Sequence, residues 1–271
     1  MRYLCAAILA TGAAAAAANA QLIVLEDANS STQFQITGGN QVGWQVDGVN
    51  QLFNQRFFYR AAGFADEVAV DSLPLTGAQA TDTNLFDDPR PDNLAVRYTD
   101  APNSLRFDVN YTLRGSSVGS GASDLAETIR IGNFGNVPQQ VSFFQYVDFD
   151  LGGTPGGDIG QIIGGRIAQQ ADLAGSFSVT ETVVTPAPSH YQLDLYPNLI
   201  GEFFNGQVDN LNDFAGPLQG DVTWGFQWDF TLLPGQTFII SKDKNLGVVP
   251  APAGAALLGL TGLVVAGRRR R

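Results

Sequence analysis

The chain has 271 residues, with 26 acidic and 15 basic side chains, one histidine and one cysteine. All 26 acids but only 10 of the bases fall in residues 21–247, so that stretch carries a net −16. Such a surface repels nucleic acid and anionic lipid, which excludes nucleic-acid binding, and the lone Cys5 excludes cysteine-based zinc or thiol chemistry elsewhere.

Residues 1–20 carry an early positive charge at Arg2, an apolar stretch over residues 4–18, and Ala18-Asn19-Ala20. This is the pattern of a secretory signal peptide with an A-x-A cleavage site, and it places a mature N-terminus near Gln21. The exported chain then lacks any thiol, so no disulfide supports it and the core must. Residues 21–247 are enough for one sizeable β domain.

The body reads as strands throughout. Residues 41–46 and 50–60 flank an Asp47-Gly48 turn. Residues 94–99 and 105–113 form a hairpin across Asp100-Ala101-Pro102-Asn103, with Phe107, Val109, Tyr111 and Leu113 alternating with polar residues. Residues 125–131 and 140–151 read as a further pair, joined by the Gly/Asn/Pro segment 132–138. Residues 221–232 alternate most cleanly: Val222, Trp224, Phe226, Trp228, Phe230 and Leu232 on one side, polar residues and glycine on the other. That pattern predicts one buried and one wet face. Pro234-Gly235 turns the chain into the next strand, residues 236–241. Residues 115–123 and 152–157 are Gly-rich loops, and no helix of convincing period precedes the C-terminal tail. The expected fold class is all-β, an antiparallel two-sheet β-sandwich ectodomain over residues 21–247, with an N-terminal signal peptide and a short C-terminal transmembrane helix.

Candidate chemistry is sparse. His190 is the only histidine, and its neighbour Ser189 cannot face it productively along a strand, so it reads as a surface or edge-strand residue. Asp148 and Asp150 stand two apart beside the loop 152–157, with Asp158 beyond it, while Val147 and Phe149 take the other face. The plainest reading is acids solvated on a wet face. Hard oxygen ligands next to a flexible loop also suit Ca²⁺, with Asp148, Asp150 and Asp158 as ligands, and the same pair can serve glycoside chemistry. Asp87, Asp88 and Asp92 form a second acidic loop. Trp224, Phe226 and Trp228 share one strand face and read as core, whereas the side taken by Trp44 and Tyr59 is undecided.

Residues 248–271 form a tripartite tail. Val249-Pro250-Ala251-Pro252 is followed by the uncharged run 253–267, then by Arg268, Arg269, Arg270 and Arg271. As a helix, residues 253–267 would span roughly 22 Å, short of a hydrocarbon core of about 30 Å. The arginines would stay cytoplasmic and hold the body outside, and the prolines would leave an extended segment at the membrane surface. This order resembles the PEP-CTERM sorting signal read by exosortase-type membrane enzymes, with Ala251 where the motif has Glu. Residues 124–150 and 221–245 also look like a recurring body type of bacterial proteins with this tail. The resemblance implies export, transient anchoring in the inner membrane, cleavage near residues 250–252, and a place at the cell surface or in the extracellular matrix beside exopolysaccharide.

The function expected on these grounds is a non-enzymatic surface protein without catalytic residues or an obligate cofactor. A carbohydrate-binding module or adhesin, using exposed aromatics and Ca²⁺ at Asp148 and Asp150, is the alternative. A glycan hydrolase or lyase would require a carboxylate pair in a cleft.

Overall fold

The computed structural model describes residues 21–38, 40–84 and 88–248. The signal peptide at 1–20, the sorting motif, helix and arginine end at 249–271, and Asp87 lie outside the described residues. Among the described residues no helix is long and apolar enough to cross a membrane.

Eighteen strands build the described body. The first six are β1 (Leu22–Asp27), β2 (Ser30–Gln35), β3 (Asn40–Val46), β4 (Val49–Asn50), β5 (Asn54–Ala61) and β6 (Val68–Ala69). Next come β7 (Leu75–Thr81), β8 (Asn93–Asp100), β9 (Leu105–Arg114), β10 (Ser123–Asn133), β11 (Gln139–Asp148) and β12 (Asp158–Ile163). The last six are β13 (Ile167–Asp172), β14 (Phe177–Thr185), β15 (His190–Leu195), β16 (Leu218–Gly220), β17 (Val222–Leu232) and β18 (Thr237–Val248). One five-residue helix, α1 (Asn198–Glu202), lies between β15 and β16. The strands form two antiparallel sheets. Sheet A runs β1-β2-β3-β5-β11-β17-β15, with β4 on β3 and β6 on β5, and sheet B runs β16-β12-β13-β14-β18-β10-β9-β8-β7. The two-sheet, all-β architecture matches the expectation.

Local chemistry explains the turns. Asp47 and Gly48 both take positive φ, 50° and 79°, which is the two-residue hairpin geometry that an Asp-Gly pair favours. The β8–β9 hairpin also forms as expected, in register from Asn93↔Thr112 to Asp100↔Leu105. The pairing of residues 125–131 with 140–151 does not. β10 lies in sheet B between β9 and β18, whereas β11 lies in sheet A between β5 and β17. The segment 134–138 therefore crosses between sheets, and so does the segment 233–236 between β17 and β18. Gly/Pro composition marks where a chain turns but not which sheet receives it.

The core lies between the sheets. Trp44, Phe57, Tyr59, Phe143, Trp224 and Trp228 from sheet A face Phe107, Tyr111, Leu125, Ile129 and Ile240 from sheet B, all buried. Trp44 and Tyr59 are thereby settled as core, and Trp44 Nε1 donates to Ser123 Oγ at 3.1 Å. The expected wet face of β17 is a correction. Its first seven residues are all buried, because α1 and the chain after it cover the outer face of sheet A. There Leu199, Phe203 and Leu211 pack on Phe58, Phe144 and Tyr146, and Phe58 stacks on Phe203 with centroids 4.5 Å apart. Each large side chain buried this way contributes on the order of 2 kcal/mol.

Candidate functional site: an acidic pocket at the end of the central strands

Strand β11 ends at Asp148, paired across to Asn54 on β5 and to Thr223 on β17. Its carboxyl points to the outer face of sheet A, as does the Tyr146 ring, while Val147 and Phe149 enter the core. The expectation that Asp148 is a solvated acid is corrected here, for it is only 2 % exposed. The chain then turns through Asp150 into a single 3₁₀ turn, Leu151–Gly153. Asp221, which precedes β17, completes the group. Asp148, Asp150 and Asp221 each place a carboxylate oxygen within 4.8 Å of the other two. They line a pocket of about 250 Å³ with Phe53, Pro155 and Tyr196. The Phe53 and Tyr196 rings meet edge to face at 6.2 Å and are both about half exposed.

Three carboxylates this close cannot all ionise easily. Burial pushes Asp148 up to about 7, against the pull of the Tyr146 hydrogen bond, and the charges of Asp221, Asp150 and Asp158 add to the rise. Asp150 is raised by burial and then by Asp221, and Asp221 is raised by burial. The Tyr146 hydroxyl donates to Asp148 Oδ2 at 2.9 Å, whereas the buried Oδ1 has no hydrogen-bond partner. A buried acceptor left in this way is free to take a proton or to accept a hydrogen bond from a group entering the pocket. Three hard oxygens of this kind could also hold a Ca²⁺ ion.

The other residues singled out in the sequence separate from this pocket. Asp158 is buried at the start of β12 and accepts a hydrogen bond from Gln170; burial raises it to about 7, but it stands outside the close carboxylate group. Asp92 accepts from Thr83 Oγ1 and from the Arg114 guanidinium, so it clamps a loop, and Asp88 accepts from Arg90 at 2.6 Å. His190 lies at the sheet edge with its Nδ1 3.0 Å from Asp213 Oδ2. Ser189 Oγ instead accepts from the Asp229 backbone at 2.9 Å, so no Ser-His pair forms. Sequence reasoning missed Asp221, Phe53 and Tyr196. Each sits in a connection far along the chain from Asp148, and only the β5-β11-β17-β15 pairing brings them together.

No family model matches the sequence, and no curated protein matches it significantly. Solved structures share the fold. A bacterial glucoamylase complexed with acarbose superposes with a TM-score of 0.56 at 11% identity, over 95% of this chain and 36% of that one. The chain thus spans about a third of that enzyme's length. A putative aldose 1-epimerase from Escherichia coli K12 gives 0.49 at 12% identity, over 84% of this chain and 98% of that one. A galactose mutarotase-like protein from Lactobacillus casei ATCC 334 gives 0.49 at 10% identity, over 83% and 100%. The glucoamylase likeness corrects the expectation of a non-enzymatic protein at the level of the fold: this sandwich occurs within a carbohydrate-active enzyme.

Proposed function

We propose that the body is a carbohydrate-processing β-sandwich in which the Asp148–Asp150–Asp221 pocket performs acid–base chemistry at the anomeric centre of a sugar. The observation that carries this reading is the buried, unpartnered Oδ1 of Asp148 beside two further carboxylates in an aromatic-walled pocket. A carboxyl titrating near 7 holds its proton for part of the population at neutral pH, so Asp148 can protonate an acetal oxygen. Asp221, the more exposed partner, is the group to accept a proton or steady positive charge on the ring. Phe53 and Tyr196 offer ring surface to the C–H face of a sugar, and the pocket's size suits one ring rather than a long chain. The shared fold of the glucoamylase that was complexed with acarbose supports the assignment of substrate class.

The test is to follow anomeric protons by NMR while residues 21–248 act on panels of reducing sugars and glycosides. Turnover that Asp148→Asn abolishes supports the reading. Absence of turnover across the panel, or equal turnover by Asp148→Asn, overturns it.

A second reading is favoured by the same three oxygens, namely a Ca²⁺ site formed by Asp148, Asp150 and Asp221. Calorimetric titration with Ca²⁺ at pH 8, where the carboxyls are ionised, tests it; no heat beyond dilution rejects it.

The route to the site of action rests on the terminal segments. We propose export through residues 1–20 and sorting by an exosortase-type enzyme at Val249–Pro252, with the arginine end transiently cytoplasmic and exopolysaccharide as the surrounding matrix. The intact mass of the native protein checks this: a chain running from near Gln21 to near residue 250 supports it, and one still ending at Arg271 rejects it.

A further inference from the structure

Deep in the sandwich, away from the acidic pocket, polar side chains from both sheets converge. Gln55 and Gln145 come from sheet A, and Glu127, Glu181, Lys242 and Lys244 from sheet B; all six are buried. Lys242 Nζ donates to Gln145 Oε1 at 2.6 Å. Glu181 bridges the two, with Oε1 3.1 Å from Lys242 Nζ and both oxygens accepting from Gln145 Nε2, at 2.7 and 2.9 Å. The Trp224 indole donates to Glu181 Oε2 at 2.8 Å and holds this carboxylate in place, and the Phe57 ring lies 5.0 Å from the Lys242 nitrogen. One carboxylate therefore touches both the amine that could attack the carboxamide and the nitrogen that would leave it.

We propose that Lys242 and Gln145 join in an intramolecular isopeptide bond that ties β18 of sheet B to β11 of sheet A. The Lys242 ammonium passes one proton to Glu181, and the freed Nζ attacks Gln145 Cδ. Glu181 returns that proton to the departing nitrogen while a second proton leaves Nζ for Glu181. The new Nζ–Cδ bond replaces the Cδ–Nε2 bond, and neutral ammonia departs. No oxidant or cofactor enters.

Charge also balances. Two lysines and two glutamates start neutral overall, and the product retains the Lys244–Glu127 ion pair, 2.5 Å apart, beside a protonated Glu181. Burial holds the Lys242 amine below the ordinary lysine range, whereas at Lys244 burial is outweighed by Glu127 and Glu181 and the amine lies above it. Lys242 is thus the better proton donor and nucleophile of the two. Glu127 also approaches Lys242, at 2.5 Å, but an ionised carboxylate is a poor electrophile and condensation there would release water instead. All six side chains are buried, which keeps bulk water from competing with Nζ for Gln145 Cδ. Beyond Cys5 the chain has no thiol, so a disulfide cannot perform this joining.

The test is mass spectrometry of the folded wild-type protein. The expected result is a mass lower by one ammonia, loss of tryptic cleavage after Lys242, and a branched peptide whose fragments place the link between residues 145 and 242. Peptide mapping is required because cyclisation of an N-terminal Gln21 would release ammonia too. Glu181→Gln, which keeps the side-chain shape, should retain the full mass and cleave normally after Lys242. Folded wild type that yields only linear peptides for residues 145 and 242 overturns the proposal, and a link to Glu127 with loss of water overturns it as well.

Discussion

Tyr146 and Asp148 stand two residues apart on the outer face of β11, and the tyrosine hydroxyl donates to Asp148 Oδ2 at 2.9 Å. This bond favours the ionised carboxyl, burial favours the protonated one, and burial prevails. The proton on Asp148 is therefore held by burial and by the neighbouring carboxylates against the pull of the Tyr146 hydroxyl, which a single substitution can remove.

Tyr146→Phe removes the donor and leaves burial unopposed. Asp148 should then titrate higher, and the alkaline limb of the activity profile should move up by about 1 pH unit, the scale of one hydrogen bond to a charged group. The pH dependence of kcat/KM in both proteins checks this. An unchanged or lowered limb would remove Asp148 as the acid.

Asp148 and Asp158 both have folded pKa values of about 7, above the ordinary value of 3.8. Below pH 4 both folded and unfolded chains hold these protons, and neither group affects stability. Between pH 4 and 7 the unfolded chain ionises first, so stability falls as pH rises, and above 7 the loss is complete. Asp158→Asn should therefore stabilise the protein at pH 8, by on the order of 2 kcal/mol, with the gain shrinking toward pH 4. Urea denaturation of variant and wild type at several pH values measures it.

The buried quartet predicts a different outcome. Glu127→Gln removes the carboxylate 2.5 Å from Lys244 Nζ, leaves that fully buried ammonium without its nearest ion-pair partner, and should cost about 3–5 kcal/mol. Replacing both partners, Glu127→Gln with Lys244→Met, removes one charge of each sign and should cost less than the single change. Denaturant midpoints of the three proteins decide the matter.

Aromatic residues divide by location. Trp44→Ala empties a fully buried position and should destabilise by about 3–5 kcal/mol, independent of any sugar. Phe53→Ala and Tyr196→Ala trim half-exposed rings at the pocket mouth, so they should leave thermal stability within a few degrees of wild type and raise KM for sugar. Paired melting curves and kinetics separate the two classes.

The fold class was legible because period-two alternation in β9 and β17 needs no partner to be read. Sheet membership was not legible. Nothing between residues 132 and 138 tells a hairpin from a crossing, and the cover over β17 comes from residues 199–211, which show no period of their own. The acidic pocket was half visible: Asp148 and Asp150 stand close in sequence, but Asp221 arrives through strand pairing. Its burial was hidden for the same reason, since Tyr196 and the β17 start close over it. The inner quartet did leave a trace. Glu127 is in phase with Leu125 and Ile129, and Lys242 and Lys244 with Ile240 and Leu246, so charges on an apolar phase were the signal.

The two crossings from β10 to β11 and from β17 to β18 also govern the order in which the molecule can assemble. The centre of sheet A needs β5, β11 and β17, and the centre of sheet B needs β9, β10, β14 and β18. Both sheets thus wait for a strand from the last fifth of the body. A nascent chain emerging from its N-terminus can close the local hairpins β1–β2 and β8–β9, yet its two-layer core stays incomplete until β17 and β18 are free. Long-range closure of this kind slows folding. A polypeptide held back in this way stays threadable for almost its whole synthesis, and it becomes a closed sandwich only when the final strand is delivered.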